Sequence, residues 1–199
     1  EAYAERYAKL VERVRREEAR HVPGSSSLSE AVARSYFRLL AYKDEYEVAR
    51  LYTDGDFRDA LRRNFQGNYR VRVHLAPPLL ARKDPVTGEP RKRAFGAWIM
   101  PFMSVLARLR FLRGTALDPF GYSRDRRLEH ALLAEYESLV DDLLQGLNAD
   151  NHDTAVALAR LPEDVRGYGH VKARNAEQAR RRQTELLARF HGGRERVAA

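Results

Sequence analysis

Cysteine is absent from all 199 residues, which excludes disulfides and removes the usual ligands of an iron–sulfur cluster or a structural zinc site. No apolar run approaches the roughly 18 residues of a membrane span, and the charged N-terminus lacks the character of a targeting segment. The expectation is a soluble, cytoplasmic chain with no membrane partner. Lysine is scarce, confined to Lys9, Lys43, Lys83, Lys92 and Lys172, so the net charge of +8 rests on arginine. The arginines alternate with Glu and Asp at helical spacings, the pattern of solvated helix faces, and this argues against nucleic acid as the partner. Glycine-rich phosphate loops, dinucleotide fingerprints and nucleophile elbows are missing. The six histidines are far apart, and none forms the paired pattern of a metal-binding helix. No catalytic residue and no metal ligand is assigned.

Helical periodicity dominates what is present. Tyr3, Tyr7, Leu10, Val11 and Val14 predict an amphipathic helix that ends before His21-Val-Pro-Gly24. Ser27-Leu-Ser-Glu30 has the form of a capping box, with the Ser27 oxygen accepting from the Glu30 amide while Glu30 reaches back. The long helix it opens carries Ala33, Phe37, Leu40, Ala41, Val48, Leu51 and Tyr52 on one stripe. Asp44 falls inside that stripe, flanked by Lys43 and Glu45. A buried carboxylate needs a partner, and Arg34 or Arg174 would serve. Asp54-Gly55-Asp56 reads as the turn that stops this helix, not as a metal anchor, and a short helix follows from Phe57 to Phe65.

Tyr69-Arg-Val-Arg-Val-His-Leu75 alternates with period two, and its predicted partner is Arg91 to Phe95, beyond the Asp84-Pro-Val-Thr-Gly88 turn. Further helices are expected from Pro101 through Val105, Leu106, Leu109 and Leu112; from Leu128 to Leu147; on to Leu161; from Pro162; and from Val171 to Phe190. The predicted fold is mainly α: a bundle-like single domain over residues 1–191, with a small β-hairpin excursion around 69–95 and a frayed tail at 192–199.

Two surfaces are candidates for anion binding or interface contact. His74 shares a strand face with Arg70 and Arg72, with Arg82, Lys83, Arg91, Lys92 and Arg93 near in sequence. Gly167-Tyr168-Gly169-His170-Val171-Lys172 presents an imidazole and an ammonium beside an aromatic at a helix start, equally the composition of an interhelix corner. The candidate residues are therefore Lys43, Asp44, His74, Arg82, Tyr168, His170 and Lys172.

Six segments occur in order with a recognisable spacing: Leu39-Leu-Ala-Tyr-Lys-Asp-Glu-Tyr-Glu-Val-Ala-Arg-Leu-Tyr52, His74-Leu-Ala-Pro-Pro-Leu-Leu-Ala-Arg82, Asp84-Pro with Pro90-Arg-Lys-Arg and Phe95-Gly, Leu112-Arg-Gly-Thr115, Leu117-Asp-Pro-Phe-Gly-Tyr122 and Arg166-Gly-Tyr-Gly-His-Val-Lys172. On these the chain resembles the C-terminal domain of the indolepyruvate ferredoxin oxidoreductases, a 2-oxoacid:ferredoxin oxidoreductase family. The resemblance implies a parent enzyme that uses thiamine diphosphate, a divalent metal, [4Fe–4S] clusters and coenzyme A to convert aryl-2-oxo acids to acyl-CoA, passing electrons to ferredoxin. It implies that this segment binds none of those groups, is inactive alone, and has the parent's catalytic domains or subunits as partners. The rival reading is a free-standing basic helical module that binds anionic ligands or nucleic acid.

Overall fold

The computed structural model describes residues 2–42, 44–75, 91, 93–167 and 169–197. Its elements, in order, are α1 (Ala2–His21), α2 (Ser27–Leu40), α3 (Glu45–Thr53), α4 (Gly55–Asn64), β1 (Val73–Leu75), β2 (Arg93–Phe95), α5 (Ile99–Arg108), a 3-10 turn at Leu109–Leu112, α6 (Arg124–Gly146), α7 (His152–Arg160), a second 3-10 turn at Leu161–Asp164, and α8 (Gly169–Val197). The fold is mainly α with one small antiparallel hairpin, as predicted. Among the described residues, no helix is long and apolar enough to cross a membrane. The backbone divides into two compact units, residues 1–42 with 128–199 and residues 43–127. The tail expected to fray from 192 stays helical as far as Val197.

In the first unit α1 packs on α2, α2 on α7 and α7 on α8. Leu10 and Val14 of α1 meet Leu28, Val32, Tyr36 and Leu39 of α2, with Tyr136, Leu143, Leu158 and Phe190 closing the core. The rings of Tyr7, Tyr36 and Tyr136 form a stack with centroids 6.0 and 6.2 Å apart. The inward stripe of α2 is therefore Leu28, Ala31, Val32, Ser35, Tyr36 and Leu39, while Phe37, assigned inward from the sequence, is exposed. Both registers have helical spacing, and the side carrying Tyr36 wins because it can stack on two further tyrosines.

The N-terminus of α2 is held by a group that no local pattern reveals. Glu18, fully buried near the end of α1, accepts from the Leu28 and Ser29 amides at 2.8 Å each, from the Ser25 hydroxyl at 3.1 Å, and contacts His152 Nε2 at 2.8 Å. Ser27 is already the first helical residue, and Ser26 Oγ instead donates to Glu30 at 2.8 Å. The expected capping box is thus displaced by a carboxylate from the preceding helix, which takes two of the free amides and adds favourable charge at the positive end of the helix dipole.

In the second unit α3 packs against α5 and α4. The predicted long helix breaks at Ala41, and the chain restarts at Asp44, which lies outside regular helix and caps α3. Asp54 then serves two roles, ending α3 and capping α4 by accepting from the Phe57 amide at 3.2 Å, so the Asp54-Gly55-Asp56 segment is helix punctuation. The β strands are shorter than the alternating pattern suggests, with Val73 opposite Phe95, His74 opposite Ala94 and Leu75 opposite Arg93. Ile99 and Met103 face the unit's small core with Ala49 and Val73, whereas Val105 is exposed. The segment opening at Pro162 is one 3-10 turn, too short for the helix expected there.

Burial alone would raise the pKa of Glu18, but its donors from Ser29, Leu28 and His152 outweigh that and hold it down at about 2. A depressed carboxylate stabilises the fold fully above its unfolded value near 4.5 and loses that contribution as pH falls toward 2. Glu18→Gln is expected to cost about 3 kcal/mol at neutral pH, read by urea unfolding. The gap from wild type should close between pH 4.5 and 2; a gap independent of pH would contradict the assignment.

Candidate functional site: a buried ion cluster at the start of helix three

Asp44 precedes α3 with extended backbone, φ −123° and ψ 123°, which aims its side chain back at the helix start. Its Oδ1 accepts from the Tyr46 amide at 3.1 Å. Only 7% of the residue is exposed, and two guanidiniums neutralise it: Arg113 forms an ion pair at Oδ2, and Arg126 Nη2 lies 3.8 Å from Oδ1. Arg126 is itself buried and is held more tightly by Glu45, at 2.5 Å. The partners expected from the sequence, Arg34 and Arg174, are not the ones used. Arg34 pairs with Glu30 on its own helix.

One residue further along, Tyr46 extends the cluster. Its ring packs edge-on against Phe120 at 5.3 Å, and its hydroxyl donates to Asp118 Oδ1 at 3.0 Å. Asp118 is also buried, and it organises its own loop: Oδ2 accepts from the Gly114 amide at 3.1 Å and Oδ1 from the Phe120 amide at 3.0 Å. Gly114 sits at φ +73°, the left-handed turn that returns the chain toward this carboxylate.

These contacts push the two ionisable partners apart. For Asp118, burial raises the pKa, yet the Gly114 and Phe120 amides, the Tyr46 hydroxyl and the Arg126 charge lower it further, so the net shift is downward. Tyr46 is pushed up to about 12 by burial and by the neighbouring Asp118 that its neutral hydroxyl serves. Neither group exchanges a proton near neutral pH. The cluster therefore supplies fixed charge and fixed geometry, since general acid–base work needs a pKa near the operating pH.

The other candidates do not join Asp44. His74 lies exposed on β1, its side chain without a hydrogen bond or ion pair among the described residues. Lys172 belongs to the first unit, where its ammonium is 2.5 Å from both carboxylate oxygens of Glu129, so it is committed to an ion pair. His170 stands exposed in the first turn of α8. Gly167 supports the corner reading of this segment: at φ +93°, an added Cβ would fall 2.8 Å from Val171 Cγ1. Lys43, Arg82 and Tyr168 lie outside the described residues.

Sequence reasoning missed Tyr46, Arg113, Asp118 and Arg126 as site members. Three of them lie inside segments that carry the family resemblance. Arg126 offers a different signal, because a cation in the first turn of a helix opposes the dipole and calls for a local anion.

The chain has no cysteine for a cluster, and among the described residues no three of His, Asp and Glu are placed to hold a metal ion. Asp54, besides capping α4, lies 3.3 Å from Arg50.

Removing Asp44 should leave Arg113 without its counter-ion and α3 without its cap. Asp44→Ala is expected to destabilise the second unit by about 3–5 kcal/mol, and Asp44→Asn, which keeps the capping oxygen, by less. Tyr46→Phe should cost about 1 kcal/mol through the lost hydrogen bond to Asp118 Oδ1, which keeps the Phe120 amide as a donor. Denaturant unfolding with amide exchange over residues 45–53 measures all three; wild-type protection in Asp44→Ala would rule out the structural role.

No curated protein and no solved structure matches the chain. A family model does, over residues 1–185, described as a family of unknown function (DUF6537). That match covers nearly the whole chain, including every segment of the buried cluster, and the protein belongs to this family.

Proposed function

We propose that this chain is a non-catalytic accessory and assembly domain of an indolepyruvate (2-oxo acid) ferredoxin oxidoreductase. The observation that carries the reading is convergence. Asp44 and Tyr46, Arg113, and Asp118 come from three separate segments of the family resemblance, and they meet in one buried cluster. Residues held in a recognisable pattern for catalysis would sit in a cleft with matched pKa values; here Asp44, Tyr46 and Asp118 are buried and paired, and Tyr46 and Asp118 are shifted in opposite directions, away from neutral pH. Their pattern is what maintaining a particular domain shape requires.

In this reading the parent's thiamine diphosphate, divalent metal, [4Fe–4S] clusters and coenzyme A are held by other domains or subunits, in the cytoplasm. This chain's residues perform no step of the oxidative decarboxylation of the aryl-2-oxo acid. Its contribution is a rigid body against which the catalytic parts pack, with ferredoxin engaged through the whole assembly.

The second reading, a free-standing basic module for anions or nucleic acid, draws on one observation. Residues 43–127 hold eighteen arginines and lysines against ten aspartates and glutamates, the whole net charge of +8, while the rest of the chain is neutral.

Native purification of the tagged chain from its own host separates the two. The accessory reading expects it to be continuous with, or to co-purify with, a polypeptide carrying thiamine diphosphate and the visible absorbance of iron–sulfur clusters. Asp44→Ala should cut that recovery by at least tenfold, since losing about 1–2 kcal/mol of stability already changes the abundance of a protein several-fold. A chain that elutes alone and retains nucleic acid in a steeply salt-dependent manner would overturn it.

A further inference from the structure

Among the described residues, the second unit exposes apolar surface on the outward side of α5. On α5, Ile99 and Met103 point inward, yet Trp98, Phe102 and Val105 occupy the outward side at i, i+4 and i+7. They are 69%, 65% and 55% exposed, and Phe111 in the following turn is 70% exposed. A helix apolar on two faces belongs with a second surface. Arg108 and Arg110, both exposed, follow at the C-terminal end of α5, where they line a cleft with Thr53, Ser104 and Ala107, and neither forms an ion pair among the described residues.

We infer that the outward face of α5, with Phe111, Arg108 and Arg110, is a docking site for an acidic protein surface with an apolar centre. Charge decides among occupants. A second copy would bring the same +8 unit against itself and be repelled. Nucleic acid would satisfy the arginines, but Val105 offers no ring on which a base can stack, and the apolar residues follow a helical stripe, not a strand-tracking groove. Exposed Trp and Phe bordered by Arg, with no lysine in 93–127, is the composition of protein–protein contact centres. An acidic rim on the partner would pair Arg108 and Arg110, and its apolar centre would cover the rings. This deepens the accessory reading by giving the assembly face, but it does not require that the partner be an oxidoreductase.

The test places photo-reactive p-benzoylphenylalanine at position 102 of the full chain in its own host, then identifies the cross-linked species by mass spectrometry. The expected result is one discrete polypeptide of net negative charge. Its yield should fall at least tenfold in Arg108→Glu/Arg110→Glu and by a smaller factor in Arg108→Gln/Arg110→Gln, both with an unchanged thermal melt. Cross-links to a second copy, to nucleic acid, to a basic protein, or only to abundant proteins in proportion to their abundance would overturn the inference. An acidic partner lacking thiamine and cluster motifs would keep this docking face while refuting the oxidoreductase reading. Co-purification with the oxidoreductase that is unaffected by the α5 variants would do the reverse.

Discussion

A carboxylate taken out of water has to be met by donors and by opposite charge, and in the second unit that requirement is imposed by Asp44. Meeting it draws Arg113 and, through Glu45, Arg126 to the start of α3. Tyr46, whose amide caps onto the same Asp44, carries the constraint onward to Asp118, and Asp118 in turn gathers the amides of its own loop. A chain of acceptors and donors thus joins a helix cap, a glycine turn and an aromatic loop. Few apolar residues are fully buried around it, so the polar network takes over much of the specification that a larger core would provide.

The first unit solves the same problem once, at Glu18, against a far larger apolar core. There the carboxylate replaces a local serine cap and ties the end of α1, the start of α2 and the start of α7 together. In both units the buried acid works at a helix N-terminus, where backbone amides are unsatisfied and the dipole favours negative charge. Polar residues buried in this way hold elements in register, because each is met by donors from separate segments. This physical property underlies the accessory reading, which leaves the docking role to uncovered surface such as the outward side of α5.

Much of this is legible in the chain. The amphipathic first helix, the helix expected over Leu128–Leu147, the pairing of a strand within 69–75 with one within 91–95 and the turn role of Asp54 follow from periodicity and turn chemistry. That Asp44 is buried and paired is also readable, because a lone acid inside an apolar stripe is stable there only when a donor or a cation meets it. Its partners are not readable. Arg34 and Arg113 look alike as letters, and nothing local says that a loop some seventy residues downstream folds back while Arg34 stays with Glu30. Periodicity misplaces Phe37 and Leu51 for a related reason: each lies on a stripe with valid helical spacing, and which stripe turns inward depends on the neighbouring element. Lys172 has the sequence character of an available cation, and only the fold brings Glu129 opposite it.

The sequence by itself determined the α-rich class, the single hairpin, the lack of thiolate ligands and the presence of a buried acid near position 44, because each depends on composition or on spacing within a few residues. Only the tertiary structure decided that one predicted helix is two, that Glu18 replaces the serine cap, and that Asp44, Tyr46, Arg113, Asp118 and Arg126 form one cluster. Helical periodicity is a local property and survives in the one-dimensional chain. Charge compensation is set by distance in space, and it is settled only when remote segments compete for the same buried oxygen.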